Sequence, residues 1–364
     1  MQNLRAVGAY IFAGGFTLGV RQHFKVHCHL EETAAYGMTT SRQNMPDIPV
    51  FTGVETWGDA EHEELDARYG VTGIDWIYGN PPCAAWSMAG RRGDSWHTDS
   101  RVDCTRTHFN LLKRYRPRAW TWESVSNAFS RGREFVDGLA REALDLGYDV
   151  TFLLHDGQHL GLPQERKRFF FVATDFEFLP DHSTLTPARS AAEVLRGLND
   201  PGEPLATSDA KRLQYLFKHC PPGAQLYRVF DELGLGDEVN HRGQVKGRPG
   251  FLVRRLPASG PALTFAGGLA VHPTEDRALT VKECGVLCGY PPDYEFVAKG
   301  DSAKLSLIAR GVCPPVGEWL AVQLADHLRR GSAAATGRVR LADFRSLPGS
   351  VTDITHLYQP QGSL

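Results

Sequence analysis

Seven short apolar runs, separated by amphipathic stretches, fill the first half of this 364-residue chain, and that alternation restricts its fold more than any other feature. The runs span residues 6–12, 24–30, 48–54, 74–78, 119–123, 149–154 and 168–173. Between two of them, residues 131–146 carry Phe135, Leu139, Ala143 and Leu146 on one helical face, and Gly147 ends the pattern. Continuous apolar strands alternating with helices predict an α/β fold with a parallel sheet covered on both faces. Ligands of such sheets bind beyond the carboxyl ends of the strands.

After about residue 175 the alternation stops. Residues 180–275 are rich in Pro, Gly and Arg, with one helix predicted near 209–219 and capped by Ser208. Residues 277–330 regain a helical pattern. The expected organisation is a catalytic domain over 1–178, a small loop-rich domain over 179–275, a return to the first domain over 276–330, and a C-terminal extension over 331–364.

The formal net charge is −2, so there is no global basic footprint for nucleic acid. Any such surface must come from local clusters: Arg91-Arg92, Arg131 with Arg133, or His241-Arg242 through Lys246 and Arg248. Seven cysteines without framework spacing argue for a reducing compartment. No Cys-x-x-Cys pair completes a zinc site, and His27-Cys28-His29 alternates faces on a strand, so no metal is expected. Residues 6–20 follow Arg5 and are mostly apolar, but their four glycines and lack of a cleavage pattern suit a strand–turn–helix better than a signal peptide. No run approaches a membrane span. A cytoplasmic monomer is expected.

The chemistry concentrates in a few places. In Gly79-Asn-Pro-Pro-Cys83, two prolines stop a strand and present a thiol on a rigid exit loop, where a nucleophile would be placed. A small buried hydrophobe is the alternative reading for such a cysteine. Phe12-Ala-Gly14-Gly15-Phe16 follows the first strand, and its glycines would let a ligand approach the backbone. Glu31 or Glu32, ending the second strand, is positioned to hold a ribose, and Asp59 could accept from an adenine amino group. Glu123 ends the fifth strand and faces the same edge as Cys83. A carboxylate beside a thiol raises both pKa values, which makes sense if the carboxyl binds a base ring and delivers a proton during attack. Arg166 and Arg168 alternate onto one side near that edge, within Gly161-Leu-Pro-Gln-Glu-Arg-Lys-Arg168. Arg277-Ala-Leu-Thr-Val-Lys-Glu283 then precedes a helix and Leu-Cys-Gly-Tyr-Pro.

In this order, the glycine turn, Pro-Pro-Cys, Glu-x-Val, Pro-Gln-x-Arg-x-Arg and Arg-x-Leu-Thr-x-x-Glu resemble the blocks of DNA cytosine-C5 methyltransferases, over roughly residues 6–325. The resemblance implies a Rossmann-like sheet that binds S-adenosylmethionine, with a small target-recognition domain. Cys83 would attack C6 of a cytosine flipped from double-stranded DNA, Glu123 would bind N3 and the exocyclic amine, and Arg168 or Arg166 would hold O2. Phe12, Gly14, Gly15, Glu31, Glu32, Asp59 and Pro81 would then lie on the donor side. Gln164 would lie on the DNA side. The stretch 227–255, with Arg242, Lys246, Arg248, Arg254 and Arg255, would read bases; it is short, so a short or relaxed recognition sequence is expected.

The chain departs from the family pattern in several places. The glycine turn is about two residues shorter, Tyr10-Ile11 replaces the usual lead-in, Ala84 stands where Gln is usual, and Ser124 stands where Asn is usual. In Ile308-Ala-Arg-Gly-Val-Cys-Pro-Pro315, Arg310 occupies the position of a family Asn near the donor's sulfonium. A guanidinium about 5 Å from that charge would repel it by about 3 kcal/mol at an effective dielectric near 20. A donor carrying a carboxylate on the transferred carbon would instead pair with it. Methyl transfer, with Arg310 turned outward, is the first reading; carboxymethyl transfer from carboxy-S-adenosylmethionine is the alternative. An RNA cytosine methyltransferase, a nucleotide-binding oxidoreductase and a catalytically silent DNA-binding relative are the competing classes.

Overall fold

The computed structural model describes residues 3–33, 37–87, 95–226, 253–264 and 270–359. All seven predicted strands form: β1 (Arg5–Ala9), β2 (Lys25–Glu31), β3 (Val50–Thr52), β4 (Trp76–Gly79), β5 (Ala119–Val125), β6 (Asp149–Asp156) and β7 (Lys167–Thr174). Downstream lie a short pair, β8 (Arg254–Arg255) with β9 (Ala270–Val271), and two further strands, β10 (Val339–Phe344) and β11 (Ser350–Asp353). The main sheet has the order β11-β10-β6-β7-β5-β4-β1-β2-β3.

Side chains on each strand alternate between two apolar layers. Ala6, Trp76 and Tyr78 pack into one, while Val7 and Ile77 enter the other. Burial on both faces explains why these strands read as continuous apolar runs. Strand order reverses between β1 and β4, which pair in parallel, so a crevice opens where their carboxyl ends diverge. The glycine turn leaves β1 and the Cys83 loop leaves β4 at that crevice.

The sheet is not all parallel. β7 runs antiparallel to both β5 and β6. The connection 157–166 is too short for the crossover that a parallel β6–β7 pair would need, so the chain doubles back as a hairpin.

The C-terminal extension joins the sheet rather than standing apart from it. β10 pairs in parallel with β6, from Val339 opposite Val150 to Phe344 opposite His155, and β11 pairs antiparallel with β10. Without β10, β6 would present an open edge. The guanidinium of Arg340 locks this addition, donating to Asp149 at 2.9 Å and Glu177 at 3.0 Å. Asp149 also accepts from the backbone N–H groups of Thr336 and Arg338 at 2.9 and 2.8 Å.

The first helix (Gly15–Val20) packs closely on the last long one (Pro314–Arg330). A Cβ on Gly19 would fall 2.2 Å from the Glu318 nitrogen, so only glycine permits that approach. In the smaller region, the predicted helix divides into an α-helix (Ser208–Leu213) and a 3-10 turn (Gln214–His219). Its cap is Thr207, whose hydroxyl accepts from the Ala210 N–H, rather than Ser208. This region is joined to the β6–β7 connection by backbone bonds from Ala262 to Pro163 and from Glu165 to Ala262, each 2.8 Å.

Arg340→Ala is expected to strand the buried Asp149 carboxylate and to lower unfolding free energy by about 3–5 kcal/mol in urea titrations. A loss under about 1 kcal/mol would show that β10 is not integral to the fold.

Candidate active site

The expected donor side begins where β1 ends. Tyr10 and Phe12 both adopt left-handed backbone, with φ of 54° and 60°, which costs non-glycine residues free energy and concentrates at functional sites. The turn is held by Glu31, whose Oε1 accepts the Ile11 N–H at 2.7 Å. Glu31 is buried, and burial pushes its carboxyl up to about 8 although the Ile11 N–H opposes this. Phe12 is half-buried beside it. Glu32 is also half-buried and accepts from the Cys104 thiol at 3.6 Å. Pro81 is buried at the exit of β4.

Two expectations for this side change. The glycines do not stand open to a ligand. A Cβ on Gly14 (φ 87°) would fall 2.3 Å from Met45 Cε, and one on Gly15 would fall 2.2 Å from the Val312 carbonyl oxygen, so protein fills both spaces. Asp59 is at the exposed start of the helix Asp59–Tyr69, and its Oδ1 accepts from Arg114 Nη1 at 2.6 Å. That pairing turns it toward the helix Arg101–Tyr115 rather than toward an adenine.

On the side of the expected nucleophile, Cys83 is partly exposed in a turn closed by the Trp86 N–H on its carbonyl at 3.1 Å. Trp86 is buried against Trp122, with ring centroids 5.4 Å apart, and anchors the loop. Glu123 is buried, its Oε1 lying 3.4 Å from Arg168 Nε. Its Oε2 accepts from Asn80 Nδ2 at 2.6 Å. Burial, then the nearby Glu123, push the Cys83 thiol up, while Arg168 and Arg166 pull it down. Burial likewise raises Glu123 against the same two arginines and Asn80. Asn80 was not singled out from the sequence; the signal was a lone polar residue between an apolar strand and two prolines.

The two arginines separate in role. Arg168 faces Glu123, whereas Arg166 is fully buried and turned away. Its backbone N–H donates to Asp156 Oδ1 at 2.7 Å, and its Nη2 donates to the carbonyls of Ala309 at 2.9 Å and Gly311 at 2.7 Å. Arg166 therefore grips the chain on either side of Arg310. Arg310 itself is exposed at the end of the helix Asp301–Arg310. Among the described residues, Arg166 Nη1, Gln164 Oε1, the Tyr290 hydroxyl and both ring nitrogens of His155 are buried without a protein partner. Such unmet polar atoms mark where a polar ligand or water belongs.

The expected DNA contacts are revised. Gln164 is buried, its amide donating to Cys288 Sγ at 3.5 Å, so it cannot reach DNA from this position. Arg255 is also interior: its guanidinium binds the carbonyls of His272, Glu275 and Phe217 and the Asp276 carboxylate. It holds the small region together instead of reading a base. Arg254 is half-exposed, and Arg242, Lys246 and Arg248 lie outside the described residues. The block from Arg277 to Glu283 is structural. Arg277 makes two 2.8 Å bonds to Glu283, which closes a reciprocal cap with Thr280.

Comparisons with known proteins identify the family and the fold. The profile of the C-5 cytosine-specific DNA methylases matches residues 10–326. The type II methyltransferase M1.HphI of Haemophilus parahaemolyticus is 23% identical over 318 residues, covering 82% of this chain and 80% of that protein. M.NgoPII of Neisseria gonorrhoeae, another type II methyltransferase, is 26% identical over 276 residues, covering 71% and 77%. The fold matches the methyltransferase EhMeth of Entamoeba histolytica with a TM-score of 0.63 at 11% identity, over 90% of this chain and 99% of that one. It also matches the S. pombe Dnmt2 methyltransferase with a TM-score of 0.57 at 13% identity, over 90% and 99%. With the family profile spanning most of its length, this chain belongs to the C-5 cytosine-specific DNA methylases.

Proposed function

We propose that this protein modifies C5 of a cytosine flipped out of double-stranded DNA, with Cys83 as nucleophile and Glu123 and Arg168 holding the base. The observation that carries this reading is the convergence of a partly exposed thiol, a buried carboxyl and an arginine at one sheet edge. Family members use S-adenosylmethionine, which when bound supplies an electrophilic carbon. The residues present suit it: Phe12 offers a ring face, and Glu31, anchored by one oxygen, can accept ribose hydroxyls with the other.

The Cys83 thiolate adds to C6. Glu123, whose protonated form burial favours, accepts from the exocyclic amine with one oxygen and delivers the proton of the other to N3, so that negative charge does not build up on the ring. Arg168 donates to O2. C5, now an enamine carbon, would take the transferred group as the sulfonium donor leaves as a neutral thioether; C5 then loses its proton to solvent, Cys83 leaves, and N3 returns its proton to Glu123 as the aromatic ring is restored. Because burial raises the Cys83 thiol, the arginine pair must supply much of the stabilisation of the thiolate. Base reading falls to the stretch 227–254, with Arg242, Lys246, Arg248 and Arg254 as contacts.

Duplex DNA carrying 5-fluorocytosine should trap a covalent complex that Cys83→Ser abolishes, with transfer on ordinary DNA reduced about a thousandfold or more. Modification of tRNA in preference to duplex DNA, in direct competition, would overturn the DNA assignment.

A second reading concerns the transferred group. Arg310 sits between two carbonyls held by Arg166, and a Cβ on neighbouring Gly311 would fall 3.8 Å from Phe12 Cδ1, beside the proposed donor site. The exposed Arg310 side chain fits the methyl reading; with Arg310 turned inward from this backbone, the donor would be carboxy-S-adenosylmethionine, its carboxylate paired with Arg310, and the product 5-carboxymethylcytosine. Nucleoside masses after incubation with each donor decide the matter. On this reading Arg310→Asn shifts preference toward methyl by about tenfold or more. A product gaining only a methyl mass, with the carboxylated donor inert, eliminates it.

A further inference from the structure

Immediately before the two prolines, Asn80 leaves β4 with its N–H on the Ala9 carbonyl at 3.3 Å, which pins it between the β1 and β4 exits. Its side chain is buried and turned across the sheet to Glu123, donating from Nδ2 to Oε2 at 2.6 Å. The amide thus presents its nitrogen to the carboxyl. Arg168 approaches the opposite oxygen, with Nε 3.4 Å from Oε1. Two donors on different oxygens remove the carboxylate's freedom to rotate.

We propose that Asn80 is a positioning residue that orients Glu123 toward the base, fixing one carboxyl oxygen while Arg168 approaches the other. This rests on the reading of Glu123 as the base-binding carboxyl. The charged and titratable groups around Glu123 are Arg168 and Arg166, Cys83 on the β4 loop and Cys313 on the C-terminal block. His155, opposite Arg168 on β6, is held neutral because burial drives it down to about 3. Only the two arginines and Asn80 therefore oppose the burial that raises Glu123, and Asn80 is the neutral member of the three. Removing its donor moves Glu123 titration to higher pH. A residue that only anchored the loop would leave that titration in place.

The experiment uses the full chain and duplex DNA tritiated at cytosine C5, without donor. Cys83 addition and proton delivery by Glu123 activate C5, which takes a solvent proton, loses the label and releases Cys83. The exchange rate is followed against pH, and the inflection that Glu123→Gln abolishes is assigned to Glu123. In Asn80→Ala this inflection should move up by about one pH unit. Asn80→Asp, which preserves the side-chain shape and adds a second carboxylate, should move it further, and it serves if the alanine variant fails to fold. An inflection unmoved in the folded variants overturns the role of Asn80 alone. No exchange by the unaltered protein overturns both this role and the assignment of Cys83 and Glu123.

Discussion

Because β7 runs antiparallel beside β5, its first residues rather than its last lie next to Glu123. Val125 pairs with Arg168 and Glu123 with Phe170, so the arginine at the start of one strand meets the carboxyl near the end of the other. In a parallel β7, the same arginine would emerge at the opposite edge of the sheet, a strand length of about 20 Å away. The pairing of Arg168 with Glu123 follows from this arrangement. Burial disfavours charge on both Cys83 and Glu123, and the arginines brought in by β7 restore part of what burial removes.

Arg166 extends that order to the other half of the crevice. Its guanidinium has lost nearly all contact with water and recovers hydrogen bonds from two carbonyls on the C-terminal block. A buried guanidinium holds such a geometry firmly because releasing it would leave a desolvated charge unmet. The lead-in to β7 thus fixes both the base side, through Arg168, and the backbone around Arg310. The first helix completes the frame: Gly15 and Gly19 let it lie flush against the C-terminal block, which tethers the strained Tyr10–Phe12 turn to the same elements.

Much of this was legible from the chain. The seven strands, the helix over 131–146 and the grouping of Cys83 with Glu123 all rest on local pattern: apolar runs, helical period and prolines that end a strand. The errors share a different cause. Gln164 was placed on the DNA side by the family resemblance and Arg255 by its place in a short basic stretch; both are buried by partners far away in sequence, Cys288 for one and Phe217, His272 and Asp276 for the other. Asp59 was misread because Arg114, 55 residues on, draws it to the surface. The glycine turn was read for its backbone freedom, but its tight contacts come from Met45 and Val312.

By itself, then, the sequence determined which segments become strands and helices and which residue types can do the chemistry, since both depend on near neighbours along the chain. Only the tertiary structure decided strand direction at β7, the incorporation of β10 and β11 through Arg340, the division of labour between Arg166 and Arg168, and the bond from Asn80 to Glu123. Each of these depends on burial and on a partner many residues away, and local periodicity carries no information about which distant group will meet a desolvated charge.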